Sequence, residues 1–255
     1  MDSLVASFKC LLNSQAPADQ RFAGEDRKWL KHQALGLFFI AAFLLLVFEN
    51  SRLDLILSEQ VFDPVSGHFP GQRHWFFNDL MHHGLKTASY VLALPTLALA
   101  FFCWRGRLSW IQPRNALLGM LGLMLIPLLT TLLKYLTNRH CPWDIVEFGG
   151  YAPYLSLFIG TPDYLTRGLC FPSGHASGGF AWVIWGVALR ATRPALAKKI
   201  LYASFALGML MGLSRMVQGA HFLSHVLWSA WFAWALAIAL AALLRVPVVP
   251  ERSAV

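Results

Sequence analysis

Three short stretches of this chain hold residue types that can act together on a phosphate: Lys134, Arg139 and Pro142; Pro172, Ser173, Gly174 and His175; and Ser214 and Arg215 followed by His221. Two imidazoles can share the work of nucleophile and acid–base. Fixed cations and backbone N–H groups can stabilise the charge on the phosphoryl oxygens. Pro172 and Ser173 immediately precede an apolar run, so Ser173 reads as a helix N-cap and Gly174 lets a ligand approach the backbone. The free N–H groups of that helix start form an anion site with His175 beside it. The blander reading is an ordinary cap with an interfacial histidine. Arg215 borders hydrocarbon, where a cation is costly and faces a partner or a polar cavity, or else snorkels to the interface. Lys134 taken alone reads as a snorkelling anchor.

What must position these residues is a bundle of membrane helices. The chain has 255 residues, of which 56% are hydrophobic and 13% charged, and its mean hydropathy is +0.51. That is too apolar for a soluble domain of this length. A span needs about 20 mostly apolar residues, fewer when flanking side chains snorkel. Six segments qualify: 34–48, 87–104, 116–133, 176–189, 200–213 and 226–244. The fourth and fifth are short and borrow from their flanks. The expected fold is therefore all-α, a polytopic membrane protein of six transmembrane helices. A long charged segment precedes the first span and no small-residue cleavage site follows it, so that span reads as a retained helix.

Orientation follows from the cations. Lys9, Arg21, Arg27, Lys28 and Lys31, then Arg105, Arg107 and Arg114, then Arg190, Arg193, Lys198 and Lys199, then Arg245 and Arg252 fall on one side, 14 of the 21 Lys and Arg. The rest, from Arg52 to Arg215, are spread over longer loops. By the positive-inside rule both termini are cytoplasmic and the three motifs face outward, which in a bacterial inner membrane means the periplasm. The net charge of +8 is thus a topology signal. No concentrated basic face with interleaved aromatics is present, which argues against a nucleic-acid partner. Trp29, Trp75, Trp104, Trp110 and Trp228 lie near span ends and read as an interfacial belt.

No repeat, low-complexity tract or linker divides the chain. The expected organisation is a cytoplasmic segment over 1–33, one membrane domain over 34–245 and a cytoplasmic tail over 246–255. Two outer loops are long. Loop 49–86 contains Leu53, Leu55, Ile56, Leu57, Val61 and Phe62 and predicts a short helix on the membrane surface. Loop 134–175 carries two of the three motifs, and loops of such length are more often functional than idle.

Histidines and cysteines open further readings. His82 and His83 are adjacent, and His221 with His225 has the i, i+4 spacing of a helical zinc pair, but no Glu completes the protease pattern and no carboxylate cluster accompanies either pair. The expectation is no metal and no cofactor. Cys10 and Cys103 fall on the cytoplasmic side and are expected as thiols. Cys141 and Cys170 fall outside, each beside a motif. A Cys141–Cys170 disulfide would pin the first motif against the second; two unpaired small residues is the alternative.

Taken together, the three stretches resemble the type 2 phosphatidic acid phosphatase superfamily, whose membrane members have six spans and a three-part signature. Its parts are Lys, six residues, Arg-Pro; Pro-Ser-Gly-His; and Ser-Arg, five residues, His, three residues, Asp. Pro172 to His175 match the second part fully, and Ser214, Arg215 and His221 match the third in spacing. Counting from Lys134, the family's Arg position holds Cys141, followed by Pro142, and the family's Asp position holds His225. Arg139 stands two residues early. The resemblance covers the chain from about the second span to the sixth.

The resemblance implies a metal-independent lipid phosphatase. His221 would attack phosphorus to give a phosphohistidine, and His175 would protonate the leaving group and then activate water. Lys134, Arg139, Arg215, Ser173 and Gly174 would hold the phosphoryl oxygens. A Cys141–Cys170 bridge would explain how the loop does without Arg at position 141. His225 lies one helical turn from His221 and can serve as its orienting partner, with Asp144, Glu147 and Asp163 as the other candidates. The expected partners are the bilayer and a membrane lipid phosphate: phosphatidic acid, phosphatidylglycerol phosphate, undecaprenyl diphosphate or a lipid A phosphate. Alternatives are a phosphotransferase passing the phosphate to another lipid, and a non-catalytic transporter or scaffold; against the last, the spans are nearly free of charge.

Overall fold

A computed structural model describes residues 22–250. Most of the expected cytoplasmic N-terminal segment, with Lys9, Cys10 and Arg21, and the end of the tail, with Arg252, lie outside the described residues. The described residues form eight α-helices: α1 (Arg27–Asn50), α2 (Leu53–Glu59), α3 (Leu85–Trp104), α4 (Pro113–Thr137), α5 (Gly174–Phe180), α6 (Val183–Ala188), α7 (Pro194–Val217) and α8 (Leu223–Leu243). No strand forms among the described residues beyond two isolated bridges, Asp63 with His68 and Ile145 with Ala152.

Local chemistry sets the helix limits. Pro113 and Pro194 open α4 and α7 at positions where a missing N–H costs nothing. Asn138 closes α4 in the left-handed conformation at φ 50°, its N–H donating to the Lys134 carbonyl at 3.3 Å. Inside α4 the Thr130 and Thr131 hydroxyls donate to the Ile126 and Pro127 carbonyls one turn back, which satisfies these hydroxyls in an apolar segment.

Among the described residues, five helical stretches are long and apolar enough to cross a membrane: Gly24–Asn50, Phe76–Trp104, Pro113–Asp144, Pro194–Val217 and Leu223–Leu243. The protein is an integral membrane protein. The fourth of the six expected spans, 176–189, is not among these five stretches. Segment 176–189 is divided into α5 and α6 by a turn at Ala181 and Trp182. At 1.5 Å per residue the pair reaches only about 22 Å, short of the roughly 30 Å of hydrocarbon. It tolerates this because it packs against α4, α7 and α8, and nearly every residue from His175 to Leu189 is buried. The fourth segment is the core of the bundle rather than a lipid-facing wall.

Close approach in that core depends on small residues, as expected where helices pack without water to drive them together. Gly208 of α7 lies against the Phe180 ring, Gly119 of α4 against Trp185, and Gly212 of α7 against Val226 of α8. At Gly179 an added Cβ would stand 2.6 Å from the Gly208 Cα.

The short helix expected in loop 49–86 is present as α2, with Asp54, Leu55 and Ser58 buried and Ile56 49% exposed. Leu55 joins Phe69, Ile145, Phe148 and Phe222 in a cluster that ties α2 and the 142–148 turns to the start of α8. One of the expected belt residues also moves inward: Trp228 is 8% exposed and packs on Phe171 and Phe232, whereas Trp75 and Trp110 are each 64% exposed.

The two ends of the bundle differ. At one, Asp26 accepts from Val248 and Val249 N–H at 2.8 Å each, Arg190 stacks 4.7 Å over Trp29, and Arg193 reaches the Trp110 carbonyl. The starts of α1 and α7, the α3–α4 connection and the tail meet there. At the other end lie α2, the 138–173 loop and the three motifs. Replacing Gly179 by alanine should cost about 1–3 kcal/mol through overpacking, read as a lowered midpoint of thermal unfolding in detergent; an unchanged midpoint would mean that α5 and α7 can part freely.

Candidate active site

Each motif reaches the site end from a helix terminus. Ser173 caps α5, its Oγ accepting from the Ala176 N–H at 3.4 Å, while its own N–H donates to the His225 carbonyl at 3.1 Å. Lys134 sits in the last turn of α4, and a Cβ on Gly174 would stand 3.2 Å from the Lys134 Nζ, so glycine is what lets the ammonium approach the α5 N-terminus. Arg215 is in the last turn of α7. His221 lies in the connection from α7 to α8, whose turn at Gly219 has φ 69°.

Lys134, His175, Arg215 and His221 line one cavity of about 390 Å³, together with His82 and Lys86. Gly174 lines it too, and no carboxylate is among the lining residues. A cavity with this many cationic and imidazole groups and no acid is built for an anion. His221 is 5% exposed. Burial, reinforced by Lys134 and His225, holds its imidazole well below the usual range and therefore neutral. The His175 Nε2 donates to the Met81 carbonyl at 3.1 Å. A carbonyl only accepts, so Nδ1 is left as the basic nitrogen of the neutral ring.

Two expected members are placed elsewhere. Arg139 is not in the anion cavity: the left-handed turn at Asn138 redirects the chain, and its Nη2 donates to the Leu157 and Ile159 carbonyls, the latter at 2.6 Å. It lines a separate space of about 40 Å³ with Asp54, Tyr154, Phe171 and His225. His225 does not orient His221 by a hydrogen bond. Their rings meet edge-on with centroids 5.9 Å apart, and the His225 Nδ1 is buried with no partner. None of the proposed carboxylates takes that role either. Asp144 accepts from the Cys141 N–H at 3.2 Å within its own turn, and Glu147 and Asp163 are exposed.

Cys141 and Cys170 are joined by a disulfide, and Cys103 is a buried thiol. Cys170, His221 and His225 bring one donor atom each within 4.8 Å of one another. With its sulfur bonded to Cys141, Cys170 offers no thiolate, so this group lacks the charge that a cysteine-containing zinc site supplies.

Several residues at the site were not singled out from sequence. Trp143 stacks its indole under Arg215, 5.6 Å from ring centre to guanidinium carbon, and its backbone N–H donates to the Gly219 carbonyl at 3.0 Å. Gln218, 1% exposed, accepts from the Arg215 Nη1. His82, considered only for a metal pair, stands with its ring 4.8 Å from that of His175. Asp54 of α2 accepts from both the N–H (3.0 Å) and the hydroxyl of Ser224, a cap for α8 delivered from 170 residues away. No local spacing announces such a contact.

A family model described as the PAP2 superfamily matches residues 115–246. Among solved structures, the chain shares its fold with the first transmembrane PAP2 type phosphatidylglycerolphosphate phosphatase from Bacillus subtilis, at a TM-score of 0.50 and 19% identity, over 84% of this chain and 94% of that one. No curated protein matches the chain.

Two outcomes follow. Trp143→Ala should remove a cation–π contact of roughly 0.5–2 kcal/mol and so weaken inhibition by inorganic phosphate by about 2- to 30-fold; an unchanged inhibition constant would reduce the indole to packing. Burial pushes Asp54 up to about 6, against the lowering effect of its bonds to Ser224. The folded protein therefore holds that proton where the unfolded chain has lost it, and the stability contributed falls as pH rises from about 4 through 6. Wild type should gain up to about 3 kcal/mol relative to Asp54→Asn between pH 7 and pH 4; parallel melting profiles for the two proteins would refute this.

Proposed function

The chain belongs to the PAP2 superfamily, whose model covers more than half of it, and from that premise we propose that it hydrolyses a lipid phosphate through a phosphohistidine on His221. The observation that carries this reading is the single cavity in which His221, His175, Lys134 and Arg215 converge with no carboxylate. Its remaining wall supports an amphiphilic substrate. Tyr90 of α3 and Tyr135 of α4 line the cavity and are 56% and 49% exposed on the apolar flank of the bundle. A phosphate at headgroup depth can enter between these helices while its tails stay in lipid.

The chemistry proceeds in two displacements. The neutral His221 attacks phosphorus with its Nε2 lone pair as the phosphorus–oxygen bond to the lipid breaks. Protonated His175 gives its Nδ1 proton to the departing oxygen. In the second step His175 takes a proton from water, the hydroxide attacks phosphorus, the nitrogen–phosphorus bond breaks, and inorganic phosphate leaves. Lys134, Arg215 and the N–H groups at the start of α5 neutralise the equatorial oxygens throughout, since such reactions depend on positioning and electrostatics. No metal is required by this set of residues.

The distribution of cations supports an outward site. The end of the bundle that gathers Arg190 and Arg193 with both described termini is opposite the cavity. On the positive-inside rule that end is cytoplasmic, and the cavity opens to the periplasm of a bacterial inner membrane.

Phosphate release should be assayed in detergent with EDTA present, over phosphatidic acid, phosphatidylglycerol phosphate, undecaprenyl diphosphate and a lipid A phosphate. Release from one of them is expected to survive EDTA, to fall by about 10²–10⁴ in His175→Ala, and to vanish with the acid-labile phosphoryl label in His221→Ala. A folded protein that releases phosphate only when a second lipid is supplied as acceptor would instead be a phosphotransferase.

A further inference from the structure

The nucleophile's second nitrogen faces sulfur. His221 Nδ1 lies 3.4 Å from Cys170 Sγ, and Cys170 is 0% exposed. That sulfur is fixed from several directions: it is bonded to Cys141, it lies 2.8 Å from the Ala220 carbonyl, and its residue's N–H donates to the Arg139 carbonyl at 2.9 Å. Among the described residues no other polar side chain is seen to bond to His221. His225 meets it only ring to ring, and the carboxylates of Asp54 and Asp144 are committed to Ser224 and to the Cys141 N–H.

We propose that the Cys141–Cys170 disulfide is the positioning partner of His221, with Cys170 Sγ accepting the Nδ1 proton so that Nε2 carries the lone pair that attacks phosphorus. This rests on the reading of His221 as nucleophile. A disulfide sulfur has no proton and can only accept, whereas the ring N–H can only donate, which settles the direction of the bond. Sulfur is a weak acceptor, but at this buried nitrogen it has no competitor, and the hydrogen bond at one ring nitrogen decides the state of the other. His221 lines the cavity and Cys170 does not, so the ring turns its Nδ1 edge inward and leaves Nε2 on the cavity side. The two departures from the family's motif thereby become one substitution. Cysteine at the usual arginine position, 141, supplies the bridge whose other sulfur does what a carboxylate at position 225 would otherwise do.

Reduction by two electrons and two protons gives two thiols, and a thiol at Cys170 can donate to Nδ1. The proton then moves to Nε2 and the attacking lone pair is lost. Reduction therefore acts on the reacting ring itself as well as on the loop.

The test compares oxidised protein, protein reduced with a phosphine, the Cys141→Ser/Cys170→Ser variant, and that variant carrying His225→Asp in addition. Reduction and the double substitution are each expected to lower kcat by on the order of 10- to 100-fold, with KM changed less than about twofold. Reoxidation should restore the reduced wild type, and His225→Asp should restore the double variant, because a carboxylate one turn away can accept the same proton. A bridge that only held the loop would not be rescued in this way. Ring-nitrogen NMR of histidine-labelled protein, with His221 assigned by difference from His221→Gln, reads the tautomer without substrate: Nδ1–H is expected in the oxidised state and its loss on reduction. An unchanged tautomer, or a double variant that His225→Asp leaves inactive, overturns the proposal. Hydrolysis that persists in His221→Ala would sink the phosphohistidine reading instead, and the tautomer would still judge the sulfur contact.

Discussion

Lys134 and Arg215 share a cavity with Lys86 and three histidines, at the end of an apolar bundle and with no carboxylate among the lining residues. Like charges in a poorly solvating setting repel, and nothing within the cavity offsets them until an anion arrives. What keeps them in place is neutral. Trp143 offers its ring face to Arg215 and Gln218 its amide oxygen, while Gly174 clears the space that Lys134 occupies. A carboxylate in those positions would hold the cations better and compete with the phosphate. The cost of assembling the site is met by the rigidity of the surrounding protein, and the ligand recovers it on binding.

That rigidity begins in the middle of the bundle. The pair α5 and α6 is enclosed by α4, α7 and α8, so the N-terminus of α5 is held in place by its neighbours. Glycines at 119, 179, 208 and 212 allow the enclosure. Ser173 is then bonded through its N–H to the carbonyl of His225 and accepts the Ser229 hydroxyl at its own carbonyl, which registers the second motif against the third. Trp143 and the disulfide register the first against both.

Asp54 adds an anchor from outside the family's core. Its carboxylate closes the N-terminus of α8, three residues after His221, and carries the aromatic cluster around Leu55 with it. The part of the chain before the matched region is therefore tied to the same loop that holds His221.

Much of this protein was legible in its sequence, for identifiable reasons. Long apolar runs depend only on local composition, and five of the six expected spans follow from them. Pro172 to His175 read as a capped helix start because capping is a matter of adjacent residues. Arg215 and His221 reach one cavity because a helix end and a short turn lie between them. Contacts between distant segments had no such signal. Arg139 looked able to reach the phosphate until the left-handed turn at Asn138 sent it to the carbonyls of Leu157 and Ile159. The fourth span looked like its neighbours, because an apolar run buried in protein and one facing lipid have the same composition. His225 stood at the interval of one helical turn from His221, yet His221 lies before α8 begins, and an interval in sequence does not fix which atom faces which. The sequence alone determined the class of protein and the residues able to do its chemistry; only the tertiary structure decided which of them share a cavity and that sulfur, rather than a carboxylate, lies behind the histidine, because those are contacts between segments that packing brings together.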